Sequence, residues 1–201
     1  MRHILSSLLL LCLPMLPIAA QQPVETYTEI RQGLKQADSL IDAQQYATAL
    51  DLLAPLERAT EHPVTPEDSV IQTRIRQNIC LAYAKSGKYE EACTRCKAYR
   101  GEAIPGSTIH QSWNAYYVRI FRNYCFALSK SKHASLSVLL DRLDSLRREI
   151  GPDYDSIIVR SMGLLSYREA ILAYANSDYP ASYRLFSQAA EYYRQSNNID
   201  E

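Results

Sequence analysis

The sequence predicts an all-α fold of about four antiparallel helix pairs. Glycine, which weakens helices, accounts for only 6 of the 201 residues, whereas good helix formers such as Ala, Leu, Gln, Glu, Lys and Arg are plentiful. An aromatic residue followed three positions later by a small residue recurs along the chain. Three segments that contain proline, 62–68, 101–106 and 151–155, divide the chain and are predicted to connect helices.

Residues 1–20 have the three parts of a secretory signal peptide. Arg2 gives a positive start, an apolar run extends from Ile4 to Leu13, and Ala20 precedes a polar segment. We predict cleavage after Ala20, because the apolar run is shorter than the roughly 20 residues of an uncleaved membrane anchor. No second long apolar run follows, so we expect no membrane span after cleavage. We interpret the short signal as bacterial, which predicts export to the periplasm or the cell surface.

The segment from Leu81 to Ala92 predicts the end of one helix, a tight turn and the start of the next helix. Gly87 suits the left-handed backbone conformation that closes many helices. Glu90 and Glu91 fall in the first turn of the following helix, where the helix dipole favours negative charge. Earlier in this unit, Thr65 is the predicted N-cap of a helix.

The same pattern of an aromatic residue, a small residue and a core residue occurs three times. The three copies are Tyr46, Ala49 and Leu53; Tyr89, Ala92 and Cys96; and Tyr179, Ser182 and Phe186. Twelve residues before each small residue lies another small one: Ala37, Cys80 and Ala170. Small residues at this distance predict a close crossing of two antiparallel helices, where a large side chain would not fit.

A weaker copy lies between the second and third. There His133, Leu136 and Leu140 take the aromatic, small and core positions, with Tyr124 as the facing residue. Two large residues do not fit a tight crossing. The sequence therefore leaves two interpretations open, a loosely packed unit or a different register.

These spacings resemble the tetratricopeptide repeat family, most clearly at Tyr83, Gly87, Tyr89 and Ala92. The resemblance implies a right-handed α-solenoid over residues 21–201. Its predicted units are about 25–62, 66–104, 108–150 and 155–198. The small positions Ala49, Ala92, Leu136 and Ser182 are 43, 44 and 46 residues apart. The family's usual repeat is about 34 residues, so longer helices or connections are expected.

In this family the first helix of each pair lines a concave surface that binds a protein or peptide. The resemblance therefore implies a non-catalytic interaction scaffold. The residues expected on its concave surface are Arg74, Gln77, Leu81, Phe121, Arg122, Cys125, Tyr167, Arg168, Ile171 and Tyr174. Some family members hold a carboxylate tail with a set of Lys and Asn residues. Arg74, Gln77 and Leu81 replace that set here, so this ligand is not predicted.

Composition and motifs argue against catalysis and against nucleic acid as the main ligand. The chain has 22 basic and 22 acidic residues, whereas phosphate binding requires a basic surplus or stripe. The four histidines are scattered without metal-ligand spacing, and no phosphate-binding loop or nucleophile elbow is present. We therefore predict no enzyme activity, no cofactor and no metal site.

Four cysteines follow the signal sequence: Cys80, Cys93, Cys96 and Cys125. Cys93 and Cys96 have the spacing of a redox motif, but no strand is predicted before them as in thioredoxin-type sites. The helix pairing makes Cys80 and Cys96 the candidates for a disulfide. Three interpretations remain open: apolar core residues, one structural bridge, or a redox or metal-binding role.

The last predicted helix suggests two further hypotheses. Phe186, Ala190 and Tyr193 are expected to face outward, where self-association through this helix or a partner would cover them. The rival hypothesis for function is the extracytoplasmic sensor segment of a truncated two-component kinase or membrane-bound transcriptional regulator. The coding sequence downstream distinguishes them, since a membrane span and an output domain there favour the sensor.

Overall fold

The computed structural model describes residues 27–198, of which about 85% are helical, with no strand in that range. The all-α prediction is therefore confirmed. The predicted signal peptide, residues 1–20, lies outside the described residues. No helix within the described range combines the length and apolar character needed to cross a membrane. The helices are α1 Tyr27–Asp42, α2 Tyr46–Ala59, α3 Pro66–Lys85, α4 Tyr89–Glu102, α5 Thr108–Ser131, α6 Leu136–Ile150, α7 Asp155–Ala175 and α8 Tyr179–Asn198.

The eight helices pack in adjacent pairs, α1 with α2, α3 with α4, α5 with α6 and α7 with α8. Each pair also packs against the next, and the odd-numbered helices contact one another in sequence, α1 with α3, α3 with α5 and α5 with α7. A short 3-10 helix, Pro152–Tyr154, leads from α6 into α7.

The same turn closes the first helix of every pair. One residue in each turn has positive φ: Gln44 (62°), Gly87 (86°), Lys132 (59°) and Ser177 (62°). The backbone N–H of the next residue donates to the carbonyl oxygen five residues earlier, at 2.8–3.1 Å. This is the Schellman arrangement of helix C-termini. The predicted left-handed conformation of Gly87 is confirmed.

Gly87→Ala should lower the free energy of unfolding by about 1 kcal/mol, because alanine is strained at positive φ. The matched change Ser177→Gly removes that strain at the equivalent position and is expected to stabilise the chain slightly. Urea unfolding followed by circular dichroism measures both effects. Equal stability of Gly87→Ala and the unmodified chain would contradict this explanation of the turn.

The N-terminus of α3 is capped as the sequence predicts. The Thr65 hydroxyl accepts a hydrogen bond from the Asp68 N–H at 3.1 Å, and the Asp68 carboxylate accepts one from the Thr65 N–H at 2.9 Å. Hydrogen bonding from Thr65 to the Asp68 carboxylate lowers the pKa of Asp68. Pro66 is the first helical residue, where its missing N–H costs nothing. The capping box fixes where α3 begins and therefore the register of its exposed face.

The small residues of the repeated pattern are buried. Ala37, Ala49, Cys80, Ala92 and Ala170 have no exposed surface. Their burial is what a close crossing of paired helices requires, because a side chain without bulk lets the two backbones approach. Ser182, the small residue of the last copy, is buried as well.

The register of the weak third unit differs from the sequence assignment by three residues. Leu136 is the first residue of α6, as Tyr46, Tyr89 and Tyr179 are the first residues of α2, α4 and α8. The buried small and core positions are therefore taken by Leu139 and Leu143 rather than Leu136 and Leu140. His133 is exposed in the preceding turn. The sequence did not indicate this register, because a leucine takes the aromatic position. The turn between α5 and α6 is also one residue longer than the turns within the other pairs.

Candidate protein-binding surface

Side chains of α1, α3, α5 and α7 form one surface, which we call the odd-helix face. Side chains join these helices across it. Between α3 and α5, the Tyr116 hydroxyl donates to the Gln77 carbonyl oxygen at 2.8 Å, and Gln77 Nε2 donates to Ser112 Oγ at 3.0 Å. Between α5 and α7, Arg122 Nε donates to Ser161 Oγ, and Arg168 Nη1 donates to Ser129 Oγ at 2.7 Å. These bonds fix the spacing of the helices that carry the face.

One end of the odd-helix face is polar. A cleft of about 370 Å³ lies between α1, α3 and α5. Asp38 accepts from Asn78 Nδ2 at 2.6 Å and pairs with Arg74 at 3.3 Å. Arg119 stacks on the ring of Tyr116, with the guanidinium carbon 4.4 Å from the ring centroid. This end therefore offers arginine and amide donors to a polar ligand.

The other end of the odd-helix face is apolar and aromatic. Arg160, Leu164, Tyr167, Ile171 and Tyr174 are spaced alternately four and three residues apart and so lie along one side of α7. Tyr167 and Ile171 are each 45% exposed, and Tyr174 is 62% exposed. Exposed aromatic and aliphatic side chains next to arginine are the composition of protein-binding hot spots.

Arg122 lies between these two ends. It is half-buried and forms no ion pair with a carboxylate among the residues that the structure describes. Burial lowers the pKa of its guanidinium, and the nearby charge of Arg160 lowers it further. The group stays protonated at neutral pH, because an arginine pKa starts far above that range. The centre of the face therefore carries positive charge that no described side chain neutralises.

The structure brings eight of the ten predicted binding residues to the odd-helix face or its helix junctions. Arg74, Gln77 and Leu81 line the polar cleft. The other five, placed between α5 and α7 or along α7, are Arg122, Tyr167, Arg168, Ile171 and Tyr174. Cys125, expected beside them, is fully buried in the core.

Phe121 lies elsewhere. Its ring packs edge-on against Tyr117 and Tyr124, at centroid distances of 5.8 and 6.5 Å. It lines a cavity between α4, α5 and α6 on the other side of α5. The cause is a register error of one residue, because Lys132 and Gly87, the equivalent turn residues, are 45 positions apart rather than 44.

Sequence analysis missed Tyr116 and Arg119 on this face. Arg119 precedes the left-handed turn residue Lys132 by 13 positions, as Arg74 precedes Gly87. Counting 13 residues back from the left-handed residue of this turn would have identified Arg119. Lys132 is not glycine, however, and so gave no turn signal in the sequence.

The four described cysteines are buried, free thiols. Cys80 and Cys96 lie side by side within hydrogen-bonding distance, so the pairing predicted for a disulfide brings these two together without a bond. Burial raises the pKa of Cys93 to about 12 and that of Cys125 to about 11. A redox site needs an accessible thiolate of lowered pKa, so these contacts disfavour redox chemistry at Cys93 and Cys96. A disulfide between Cys80 and Cys96 stays a prediction.

No cysteine of the native chain, purified without residues 1–20, should react quickly with a thiol reagent at pH 8, because all four are buried and protonated. Under denaturing, non-reducing conditions four reactive thiols are expected. Two thiols instead of four would show that the bridge between Cys80 and Cys96 forms. Rapid labelling of the native chain would contradict the described burial.

Within residues 27–198, no group of three or more His, Cys, Asp or Glu side chains is arranged to hold a metal ion. No protein-family model, curated protein or solved structure matches the chain. Membership of the tetratricopeptide repeat family therefore stays a prediction from the sequence.

Proposed function

We propose that this chain is an exported, non-catalytic scaffold that binds a protein or peptide on the odd-helix face. The observation that carries the proposal is the exposed stripe of Leu164, Tyr167, Ile171 and Tyr174 along α7. A solvent-exposed apolar stripe of this length is costly unless a partner covers it. Arginines beside it supply the directional contacts that protein interfaces use.

The helix contacts support a curved array with the odd-helix face on its inner side. Consecutive odd-numbered helices touch, whereas no comparable contact joins even-numbered helices of the described chain. Helices that are closer together on one side make a stack bend towards that side. We include in the proposal the right-handed solenoid of the tetratricopeptide resemblance, because a concave inner face suits an extended or helical ligand.

Two groups of substitutions test the proposal. Tyr167→Ala, Ile171→Ala and Tyr174→Ala together remove the apolar end of the face, and Arg74→Glu with Arg119→Glu reverses charge at the polar end. All five residues lie at the surface or the cleft, so the fold should survive. Co-purification from the native host after mild crosslinking measures partner recovery.

Each group should reduce partner recovery about tenfold or more, as expected for hot-spot residues. A matched control is Val138→Ala, which alters an exposed apolar residue on α6 instead. Unchanged recovery with both groups of substitutions would contradict binding on the odd-helix face. Loss of recovery with the control alone would place the interface on the even-numbered helices.

A further inference from the structure

Within the part of the chain that the structure describes, the last helix pair leaves open a groove whose counterpart in the first pair is filled by a helix. A shift of 133 residues places Gln44 on Ser177, the left-handed residues of the two turns, and Tyr46 on Tyr179, the first residues of α2 and α8. The groove between α7 and α8 thus corresponds to the groove between α1 and α2, against which α3 packs.

The first groove shows what kind of segment these positions receive. Leu34, Leu50 and Leu53 of α1 and α2 belong to one apolar cluster that includes Ile71, Ile75 and Ile79 of α3. The three isoleucines are four residues apart and lie along one side of their helix. The occupant of the first groove is therefore a helix that presents an apolar stripe.

The equivalent residues in the last pair are Tyr167, Tyr183 and Phe186. They are 45, 76 and 36% exposed, whereas Leu53, the counterpart of Phe186, is completely buried. Tyr167 and Phe186 contact each other edge-on across the groove, with ring centroids 5.5 Å apart. No residue within 27–198 covers them. The groove is thus lined by exposed aromatic side chains, two of which contact each other.

Tyr193, expected to face outward with Phe186, is half-buried in the structure. Its ring lies against Gly163 of α7, near where the Cβ of a larger residue would be. Phe186 and Ala190 do remain exposed, as predicted. The contact with Gly163 holds α8 close to α7 and sets the width of the groove.

The charges beside the groove indicate the direction in which a bound helix would lie. In the first pair, Arg31 pairs at 2.7 Å with Glu67, in the first turn of α3, and stacks on Tyr27 at 4.8 Å. The counterpart of Tyr27 in the last pair is Arg160, which forms no ion pair with any described residue. Carboxylates in the first turn of a bound helix would neutralise Arg160 and also suit that helix's own dipole.

The same charge disfavours a second copy of this chain as the occupant. The carboxylates of Asp155 and Glu191 in α7 and α8 are already paired, with Arg147 at 2.6 Å and Arg194 at 2.5 Å. Two such faces brought together would offer Arg160 no unpaired carboxylate from those positions. We therefore expect the carboxylate to come from a partner protein rather than from the same face of a second copy.

We propose that the groove between α7 and α8 binds an amphipathic helix of a partner protein, whose apolar stripe contacts Tyr167, Tyr183 and Phe186 and whose acidic first turn lies beside Arg160. This inference deepens the proposed function and rests on it, since Tyr167 belongs to both surfaces. It adds α8 to the binding surface and defines the ligand as a helix with an acidic N-terminus.

The test uses the full chain and a fluorescent peptide with the sequence of residues 66–85, which is α3 itself. Cys80 of the peptide is changed to Ala, and a hydrocarbon staple joins positions 70 and 74, which are exposed in the chain. A second peptide carries Lys in place of Glu67 and Asp68. Fluorescence anisotropy measures the affinity of both peptides.

The acidic peptide should bind about tenfold more tightly than the Lys peptide. Arg160→Glu in the chain should abolish or reverse that preference. Phe186→Glu should weaken binding about thirtyfold or more, whereas the control Val138→Glu should leave it unchanged. Both substitutions replace exposed side chains.

Equal affinity for the two peptides, no binding of either, or full binding to Phe186→Glu would each overturn the inference. So would a dimer of the chain that Phe186→Glu dissociates, because the groove would then be an interface between copies. If peptide binding fails while Arg74→Glu with Arg119→Glu still reduces partner recovery, the odd-helix face stands and only the groove fails. If the peptides do not bind and Arg74→Glu with Arg119→Glu does not reduce partner recovery, both proposals are wrong.

Discussion

Replacing Ala92 by leucine is expected to lower the free energy of unfolding by about 3 kcal/mol. Ala92 has no exposed surface and belongs to the core cluster that contains Cys80 and Cys96. Three extra carbon atoms do not fit where α3 and α4 approach closely, so the helices must separate or adopt strained side-chain conformations. Urea unfolding followed by circular dichroism measures the change.

The matched control is Ala98→Leu in the same helix. Ala98 is exposed, and leucine is nearly as good a helix former as alanine. We expect this control to change stability by less than about 0.5 kcal/mol. If the two variants were equally stable, the small residue at the crossing would have no packing role, and the repeat pattern would lose its physical basis.

Gly163→Val should have the second largest effect, a loss of about 2 kcal/mol in the free energy of unfolding. A Cβ at this position would lie 3.2 Å from the Tyr193 ring and 3.4 Å from the Ala189 carbonyl oxygen. The branched side chain of valine therefore pushes α8 away from α7. Hydrogen exchange should show reduced protection along α8, while α1 to α4 keep theirs.

Gly101→Ala serves as the control for removing a helical glycine. A Cβ there meets nothing within 4 Å, so the change should stabilise the chain by about 0.5 kcal/mol through helix propensity. Unchanged protection of α8 in Gly163→Val would contradict the close packing of the last pair. It would also remove the reason for the groove's fixed width.

Local signals predicted the fold because each acts within a few residues. The capping box at Thr65 and the turn at Gly87 depend on neighbours in sequence, and both occur in the structure as predicted. The pattern of small and aromatic residues likewise marked three of the four pairs. These features are set by backbone geometry, which leaves few residue types to choose from.

The third pair was harder to predict because its residues do not follow the pattern of the other three pairs. Its left-handed turn residue is Lys132, and a lysine at positive φ is more strained than a glycine would be. Leu136 replaces the aromatic residue that opens the second helix of the other pairs. Two register errors followed, one of three residues in α6 and one of a single residue in α5, and the second placed Phe121 on the wrong side of α5.

The candidate site could be predicted only in part. The stripe along α7 follows helical spacing, and the resemblance to the tetratricopeptide repeat family indicated Tyr167, Ile171 and Tyr174 there. The groove required knowing which helix packs against which, since Tyr183 and Phe186 differ from buried core residues only in having no helix of residues 27–198 above them. The proposed role of Arg160 depends on its position beside the open groove, as the counterpart of Tyr27 in α1, which sequence spacing alone does not reveal.

Site-specific photo-crosslinking in the native host tests most directly whether the odd-numbered helices form the binding face. A photoreactive amino acid is placed in turn at Arg119 and Tyr174 on odd-numbered helices, and at Ala98 and Val138 on even-numbered ones. We expect one partner band from the first two positions and none from the other two. A partner band from Ala98 or Val138, with none from Arg119 and Tyr174, would contradict the proposed face.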